Sequence, residues 1–296
     1  MTRCCYINLD SAELRRKNLE ASWAKHGSPL WDFSRFRALD VEYVKQREIP
    51  GSLKPVEKAC FLSHKQVIKE HLELGSNQAL LVLEDDALLG KSSCAMIDQF
   101  LTHRAPFEWD LIYTDVGINL IESMLLFAKL RHKLTQEKQV SCLDLPKAYF
   151  FASTAYVLNP KSIKKIYDLI DQEGSLDYAY DNVLMKLIQA GKIKAFTFFP
   201  FLTSVNELAD SSQIQIKDQK SLVDSVLHLF RRIMWIDRDL LELQPFVEAL
   251  EDRMLDGESQ EMAGLFSLKL TRLGLDKSES KYLGIILAAH LKQYMS

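Results

Sequence analysis

Short apolar runs punctuate this chain, and between them apolar residues return at helical spacing. Residues 4–9 (Cys-Cys-Tyr-Ile-Asn-Leu) form a β-prone run with little polarity and predict a strand buried in a parallel sheet. Asp10 and Glu13 follow at capping-box spacing, residues 14–25 carry a helix, and Gly27 stops it. Residues 33–39 predict a second short strand, so the chain opens as the beginning of an α/β pattern. Residues 40–53 are polar, contain Pro50 and Gly51, and predict an exposed loop. Pro55 stands where a first helical residue is favoured, and its helix runs to residue 74, before Gly75. Residues 79–83 are wholly apolar and lead directly into Glu84, Asp85 and Asp86.

The second half follows the same logic for a while. Residues 109–113 predict a strand ending near Thr114 and Asp115. Residues 119–142 are apolar and then basic, and read as a helix or a mobile flap. Residues 147–158 are aromatic and β-rich; Asn159 and Pro160 then start a helix that runs to residue 171, with Gly174 as its breaker. Another helix spans 178–190, and 195–201 is the last clear strand. After Asn206 the character changes, and helical periodicity marks 220–235, 240–252 and 284–294. The predicted fold is α/β, with a sheet-and-helix domain over residues 1–214 and a helical C-terminal appendage over 215–296.

Composition narrows the setting. The 296 residues are 47% hydrophobic, enough for a large core. With 37 basic against 40 acidic residues and a net charge of −3, nucleic acid is not indicated as the main partner. Five cysteines, an odd number without a C-x-x-C pair, read as reduced thiols in a cytoplasmic compartment. No Cys/His cluster has zinc-ligand spacing. No secretory signal is expected, and no apolar stretch approaches the roughly 20 residues that span a bilayer. Residues 227–235 mix apolar and basic side chains. They read either as a packed helix or as a peripheral contact with the inner membrane face, near a lipid-linked acceptor.

The acidic triplet carries the chemistry. Ligands of open α/β sheets bind beyond the carboxyl ends of strands. Three carboxylates crowded there repel one another unless a cation sits among them, and oxygen ligands favour Mg²⁺, Mn²⁺ or Ca²⁺. Mg²⁺ usually completes its shell with substrate phosphates, so the triplet points to a phosphate-bearing substrate. On extended backbone Glu84 and Asp86 point the same way and Asp85 the other. The triplet alone does not separate nucleotidyl, phosphoryl and glycosyl transfer.

Several blocks in order extend this reading: Tyr6-Ile7-Asn8-Leu9-Asp10 with Arg15-Arg16, Arg35-Phe36-Arg37-Ala38-Leu39-Asp40, Glu57-Lys58-Ala59-Cys60-Phe61-Leu62-Ser63-His64, and Leu80-Leu81-Val82-Leu83-Glu84-Asp85-Asp86. Together they resemble glycosyltransferase family 25, the lipooligosaccharide galactosyltransferase family, over residues 3–215. Ala155-Tyr156, Leu176-Asp177 and Asp210-Ser211-Ser212 fit more loosely. Ala59, Ala152-Ser153-Thr154 and Ser175 depart from the family's usual glycine, Gly-Thr-His and proline. The resemblance implies a GT-A-like fold, a UDP-sugar donor (commonly UDP-galactose), a glycan acceptor and inversion at the anomeric carbon.

It also assigns roles. Glu84 and Asp86 would hold Mn²⁺ or Mg²⁺ on the donor diphosphate. Asn8, Arg16, Ala38, Asp40 and Asp85 would line the nucleotide site, with Arg16 on phosphate and Asp40 on ribose. Ser63 and His64 sit beside the acidic strand, although His64 also shares a helix face with Cys60, Val67, Ile68 and His71, as a core histidine would. Asp177 leads as the base that takes the acceptor proton, with Asp181 and Asp115 as alternatives. Two other readings stay open: a nucleotide-sugar-binding protein that has lost turnover, and a metal-dependent nucleotidyl-type transferase. Self-association through the C-terminal helices is a further expectation.

Overall fold

The computed structural model describes every residue except 1, 104, 146–148, 208, 210–221 and 296. Asp210, Ser211, Ser212 and the expected boundary at 214/215 lie outside the described residues. Strands β1 (Arg3–Asn8), β2 (Asp32–Arg37), β3 (Leu80–Glu84), β5 (Leu111–Tyr113), β6 (Ser141–Asp144), β7 (Ala155–Leu158) and β8 (Ala195–Phe199) form one sheet. Its order is β2-β1-β3-β7-β5-β8-β6. β1 runs parallel to β2 and β3, and β5 parallel to β8, while β7 and β6 run antiparallel to their neighbours. A two-stranded ribbon, β4 (Ala87–Leu89) with β9 (Thr203–Val205), closes one corner. The expected mixed α/β class is what is found.

The apolar runs are strands because both sheet faces are covered. Along the central strands alternate residues enter two cores. Cys5, Ile7, Leu80, Val82, Tyr113 and Tyr156 face one, and Cys4, Tyr6, Leu81, Leu83, Ala155 and Val157 face the other. Each fully buried leucine contributes about 1.5–3 kcal/mol relative to exposure. Helices α1 (Glu13–His26) and α4 (Ser93–Thr102) cover the second face through Leu19, Cys94 and Ile97. The first face carries α3 (Pro55–Glu73), α5 (Ile121–Glu137), α6 (Ile163–Asp171) and α7 (Tyr180–Gln189).

The C-terminal helices are α8 (Leu222–Met234), α9 (Leu240–Met254), α10 (Gly257–Arg272) and α11 (Lys277–Met295). They share that first core: Val226, Phe230, Ile233, Leu243 and Ile286 belong to the same apolar cluster as Leu111 and Phe199. Residues 227–235, read either as membrane-facing or as packed, are packed, with Leu227, Leu229, Phe230, Arg231, Arg232 and Ile233 all buried. No described helix is long and apolar enough to cross a membrane.

Several local expectations are corrected. Asp10 does not cap α1; the cap position is Ala12, and Asp10 instead accepts from Arg35 and pairs with Arg37. α6 starts at Ile163, after a turn in which Asn159 accepts from Lys161 N and Ser162 N. Residues 40–53 hold a short helix, α2 (Val41–Gln46), capped by Asp40. The 119–142 stretch is α5 followed by edge strand β6.

Candidate active site

The carboxyl ends of β1, β2, β3 and β5 lie at one end of the sheet, with the start of the antiparallel β7 beside them. Asn8, residues 38–40, the acidic triplet, Asp115 and Thr154 therefore converge. Two clefts open there. One, of about 520 Å³, is lined by Asn8, Ala38, Asp40, Ser63 and Asp85 among others. The second, of about 280 Å³, is lined by Thr154, Tyr180, Asp181, Asp224, His228 and Arg231 among others. Cys60, His64, Glu84 and Asp86 border both.

The triplet does not follow the alternation of an extended strand. β3 ends at Glu84, and Asp85 and Asp86 lie in a turn, so these two converge rather than diverge. Arg15 Nη1 donates to Asp85 Oδ1 at 2.7 Å and Arg15 Nη2 to Asp86 Oδ2 at 3.1 Å. Glu84 turns to His64 instead, with Oε1 3.3 Å from Nε2. Asp85 Oδ2 accepts from Asn8 Nδ2 at 2.7 Å, and Asn8 Oδ1 accepts from Arg35 at 3.1 Å. The buried Asn8 thus holds Asp85 in place. Asp86 Oδ1 is buried without a hydrogen-bond partner among the described residues.

The charges follow from this packing. Burial pushes the Asp85 carboxyl up to about 6, against the pull of Arg15. Burial also raises Asp86, with Arg15 opposing and Glu84 adding to the rise. Glu84 is driven upward by burial, but its bond to His64 and the charges of His64, Arg15 and Arg231 bring it below the ordinary value. Glu84 is thus held down by its partners, while burial raises Asp85 and Asp86 even with Arg15 beside them.

The remaining predicted residues divide clearly. Ser63 is buried, donates to Ala59 O at 2.7 Å and accepts from Leu39 N at 2.9 Å, fixing the 38–40 wall of the larger cleft. His64 Nδ1 lies 2.9 Å from Tyr156 Oη, and its ring stacks on Tyr180 at 4.3 Å. Arg16 borders neither cleft; neighbouring helical residues differ by about 100° in direction, and it is Arg15 that turns inward. Asp181 faces the smaller cleft, its oxygens held by Ala152 N at 3.0 Å and Asn182 N at 2.8 Å. Ala152 adopts φ +71, a left-handed conformation that aims this N–H at Asp181.

Asp177 lies outside both clefts. It accepts from Ser52 N at 2.7 Å and so ties down the 50–53 loop, which Gly51 (φ +118) lets pass against the Leu176 backbone. Those bonds to Ser52 hold its carboxyl below the ordinary value. Asp115 is sealed in. Arg231 donates to it through Nε (2.9 Å) and Nη2, and Thr203 Oγ1 lies 3.3 Å from its other oxygen. Arg231 Nη2 also reaches Thr154 Oγ1 at 2.9 Å.

Sequence reasoning missed Arg15, Tyr156, Tyr180, Asp224, His228 and Arg231. Arg15 stood in a recognised block, one position from the residue chosen, whereas the α8 residues had only the mixed apolar and basic pattern of 227–235, which does not point to this site. Cys60 and His64 sit one helical turn apart, and the fold adds Glu84, so one ligand atom from each lies within 4.8 Å of the others. A larger cavity of about 1080 Å³ opens at the opposite end of the sheet. Its one buried carboxylate, Asp110, is already bonded to Ser162, Lys165 and Lys194.

Comparison with known proteins gives the following. A family model described as glycosyltransferase family 25 (LPS biosynthesis protein) matches residues 1–184. The lacto-N-neotetraose biosynthesis glycosyltransferase LgtB of Neisseria meningitidis serogroup B is 27% identical over 173 residues, 55% of this chain and 59% of that protein. LgtE of the same organism is 36% identical over 96 residues, 29% of this chain and 33% of that protein. The chain thus spans less than two thirds of the length of these relatives. A crystal structure of the galactosyltransferase LgtC with donor and acceptor sugar analogues aligns with a TM-score of 0.37 at 14% identity, over 63% of this chain and 70% of that one. That overlap is too low to bear on the assignment.

Proposed function

The chain belongs to glycosyltransferase family 25, and from that premise we propose that it is an inverting, metal-dependent GT-A-like transferase. It moves galactose from UDP-galactose to a glycan acceptor, such as the growing end of a lipooligosaccharide. One observation carries the proposal. The two clefts meet at Glu84 and Asp86, and the buried Asp86 Oδ1 has no partner among the described residues.

The donor set fits a hard divalent cation. Glu84 and Asp86 offer carboxylate oxygens only, and an orphaned buried oxygen is the kind of group a cation satisfies. Mn²⁺ or Mg²⁺ bound there supplies positive charge to the donor diphosphate. The larger cleft suits the nucleotide, with Asp40 toward the ribose and the wall of Ala38 and Ser63 beside it. The smaller one suits an acceptor sugar, which His228 and Asp224 face from α8. Asp181 acts as base: its carboxylate takes the proton from the acceptor hydroxyl as that oxygen bonds to the anomeric carbon. The bond from that carbon to the diphosphate oxygen breaks, and the configuration inverts. The backbone donors of Ala152 and Asn182 fix the direction of that carboxylate.

The test is a panel of UDP-sugars, each with and without Mn²⁺, followed by thermal melting and by transfer to a galactose-accepting glycan. A ligand bound at 100 times its Kd stabilises the native state by about 2.7 kcal/mol. UDP-galactose is expected to raise the melting temperature only with Mn²⁺, and Asp86→Asn is expected to lose both the shift and transfer. Equal donor binding without metal would refute the cation assignment. Binding without transfer or donor hydrolysis would favour a binding module, and pyrophosphate release from a nucleoside triphosphate would favour nucleotidyl transfer.

A further inference from the structure

Cys60 and His64 occupy successive turns on one face of α3, and Glu84 ends the neighbouring strand. Their Sγ, imidazole nitrogen and carboxylate oxygen lie within 4.8 Å of one another. All three residues border both clefts, so the space beside them is open to solvent and ligand. The geometry points to a soft-metal site at Cys60, His64 and Glu84 that takes Zn²⁺ and is separate in chemistry from a hard-cation site at Asp86.

Three features carry this. First, a thiolate, an imidazole and a carboxylate with a fourth position left open is a zinc ligand set, whereas Mg²⁺ and Mn²⁺ favour oxygen alone. Second, the histidine is already built as a metal ligand. Its Nδ1 is engaged by Tyr156 Oη at 2.9 Å, Tyr156 Oη is 2.9 Å from Tyr180 Oη, and the ring is clamped against Tyr180. Ligating histidines are typically held through their other ring nitrogen in this way, and loss of the holding partner costs about 10- to 100-fold in affinity. Third, Nε2 faces Glu84 Oε1 at 3.3 Å, close to the spacing of two ligands on one tetrahedral ion.

Binding is an exchange without redox change: the Cys60 S–H bond breaks, a sulfur–metal bond forms and the proton leaves to solvent. Zn²⁺ held there recruits Glu84 away from Asp86. Resting on the transferase reading above, the site is therefore inhibitory, and Zn²⁺ suppresses transfer supported by Mn²⁺.

Cobalt reports on the site directly. Chelator-treated, dialysed protein is titrated with Co²⁺. The expected result is a thiolate-to-cobalt charge-transfer band at one equivalent, abolished by Zn²⁺ and absent from Cys60→Ser and Cys60→Ala. Tyr156→Phe is expected to keep the band and weaken Zn²⁺ binding by about 10- to 100-fold. Should the cysteine variants melt early, the unmodified chain gives a second readout. Zn²⁺ should protect Cys60 from alkylation, as located by peptide mass spectrometry, while Cys142, half-buried elsewhere, gains no protection. No band in the unmodified chain, or no protection of Cys60, overturns the site. A band accompanied by undiminished Mn²⁺-supported transfer in the presence of Zn²⁺ overturns the inhibitory role and removes Glu84 from the hard-cation pair.

Discussion

Arg231, on a helix beyond the span matched by the family model, pairs with Asp115 at the end of a central strand, and both are almost wholly removed from solvent. The pair joins the C-terminal helices to the carboxylate end of the sheet, since the same guanidinium also reaches Thr154. Breaking a buried ion pair from one side leaves a charge without a partner and costs about 3–5 kcal/mol. Arg231→Ala should therefore lose about that much in urea denaturation. Replacing both members of the pair with apolar residues should cost less than either single change. A double variant as unstable as the singles would refute this account.

Arg15 sets the state of the site before any cation binds. It neutralises Asp85 and Asp86 together, and with the guanidinium gone two buried carboxylates face each other unpaired. Arg15→Gln should destabilise the metal-free protein by about 3 kcal/mol. Mn²⁺ should then restore more of the melting temperature in Arg15→Gln than in the unmodified chain, because the ion takes over a larger share of the neutralisation. Equal metal-induced shifts in the two proteins would show that Arg15 and the cation act on different groups.

What could be read from the residues was whatever depended on neighbours in sequence. The apolar runs at 4–9 and 79–83 announced β1 and β3, and Pro55 and Gly75 bracketed α3, because burial on two faces and end chemistry are local signals. Strands of three residues such as β4 and β9 carry no period to detect. At the site, Asn8, Ala38, Asp40, Ser63, His64 and Asp85 do share one cleft with Glu84 and Asp86. The choice of Arg16 over Arg15 turned on a difference of one helical position, and it is Arg15 that lines the cleft. Asp177 looked catalytic for its place before a helix, yet its carboxylate is spent on Ser52, 125 positions away. The alternation argument for Asp85 assumed extended backbone where the chain turns.

Asp181 and Asp177 can be told apart by kinetics. Asp181 borders the smaller cleft, and Asp177 borders neither. Loss of a general base typically costs about 10²- to 10⁴-fold. Asp181→Asn, whose amide oxygen keeps one of the two backbone hydrogen bonds, should lower kcat within that range while UDP-galactose still raises the melting temperature. Asp177→Asn should leave kcat within about threefold and act on stability instead, by the roughly 1 kcal/mol of a hydrogen bond to the 50–53 loop. The reverse ranking would move the base to Asp177 and require that loop to rearrange on acceptor binding.

At the far end of the sheet, Asp110 predicts a pH dependence independent of the active site. Burial alone would raise its carboxyl, but Lys165, Lys194 N and Ser162 outweigh burial and hold it below the ordinary value. A carboxyl with a depressed folded-state pKa contributes stability above its unfolded pKa, about 3.9 for aspartate. That stability is lost as pH falls through the lower folded value, because the unfolded chain then binds more protons than the native one. Asp110→Asn should remove about 1–3 kcal/mol at pH 7. The gap between the urea midpoints of the variant and the unmodified chain should therefore narrow as pH falls through the unfolded value and on toward the lower folded one. A gap that stays constant across that range would mean Asp110 stabilises by shape and packing, with no contribution from its charge.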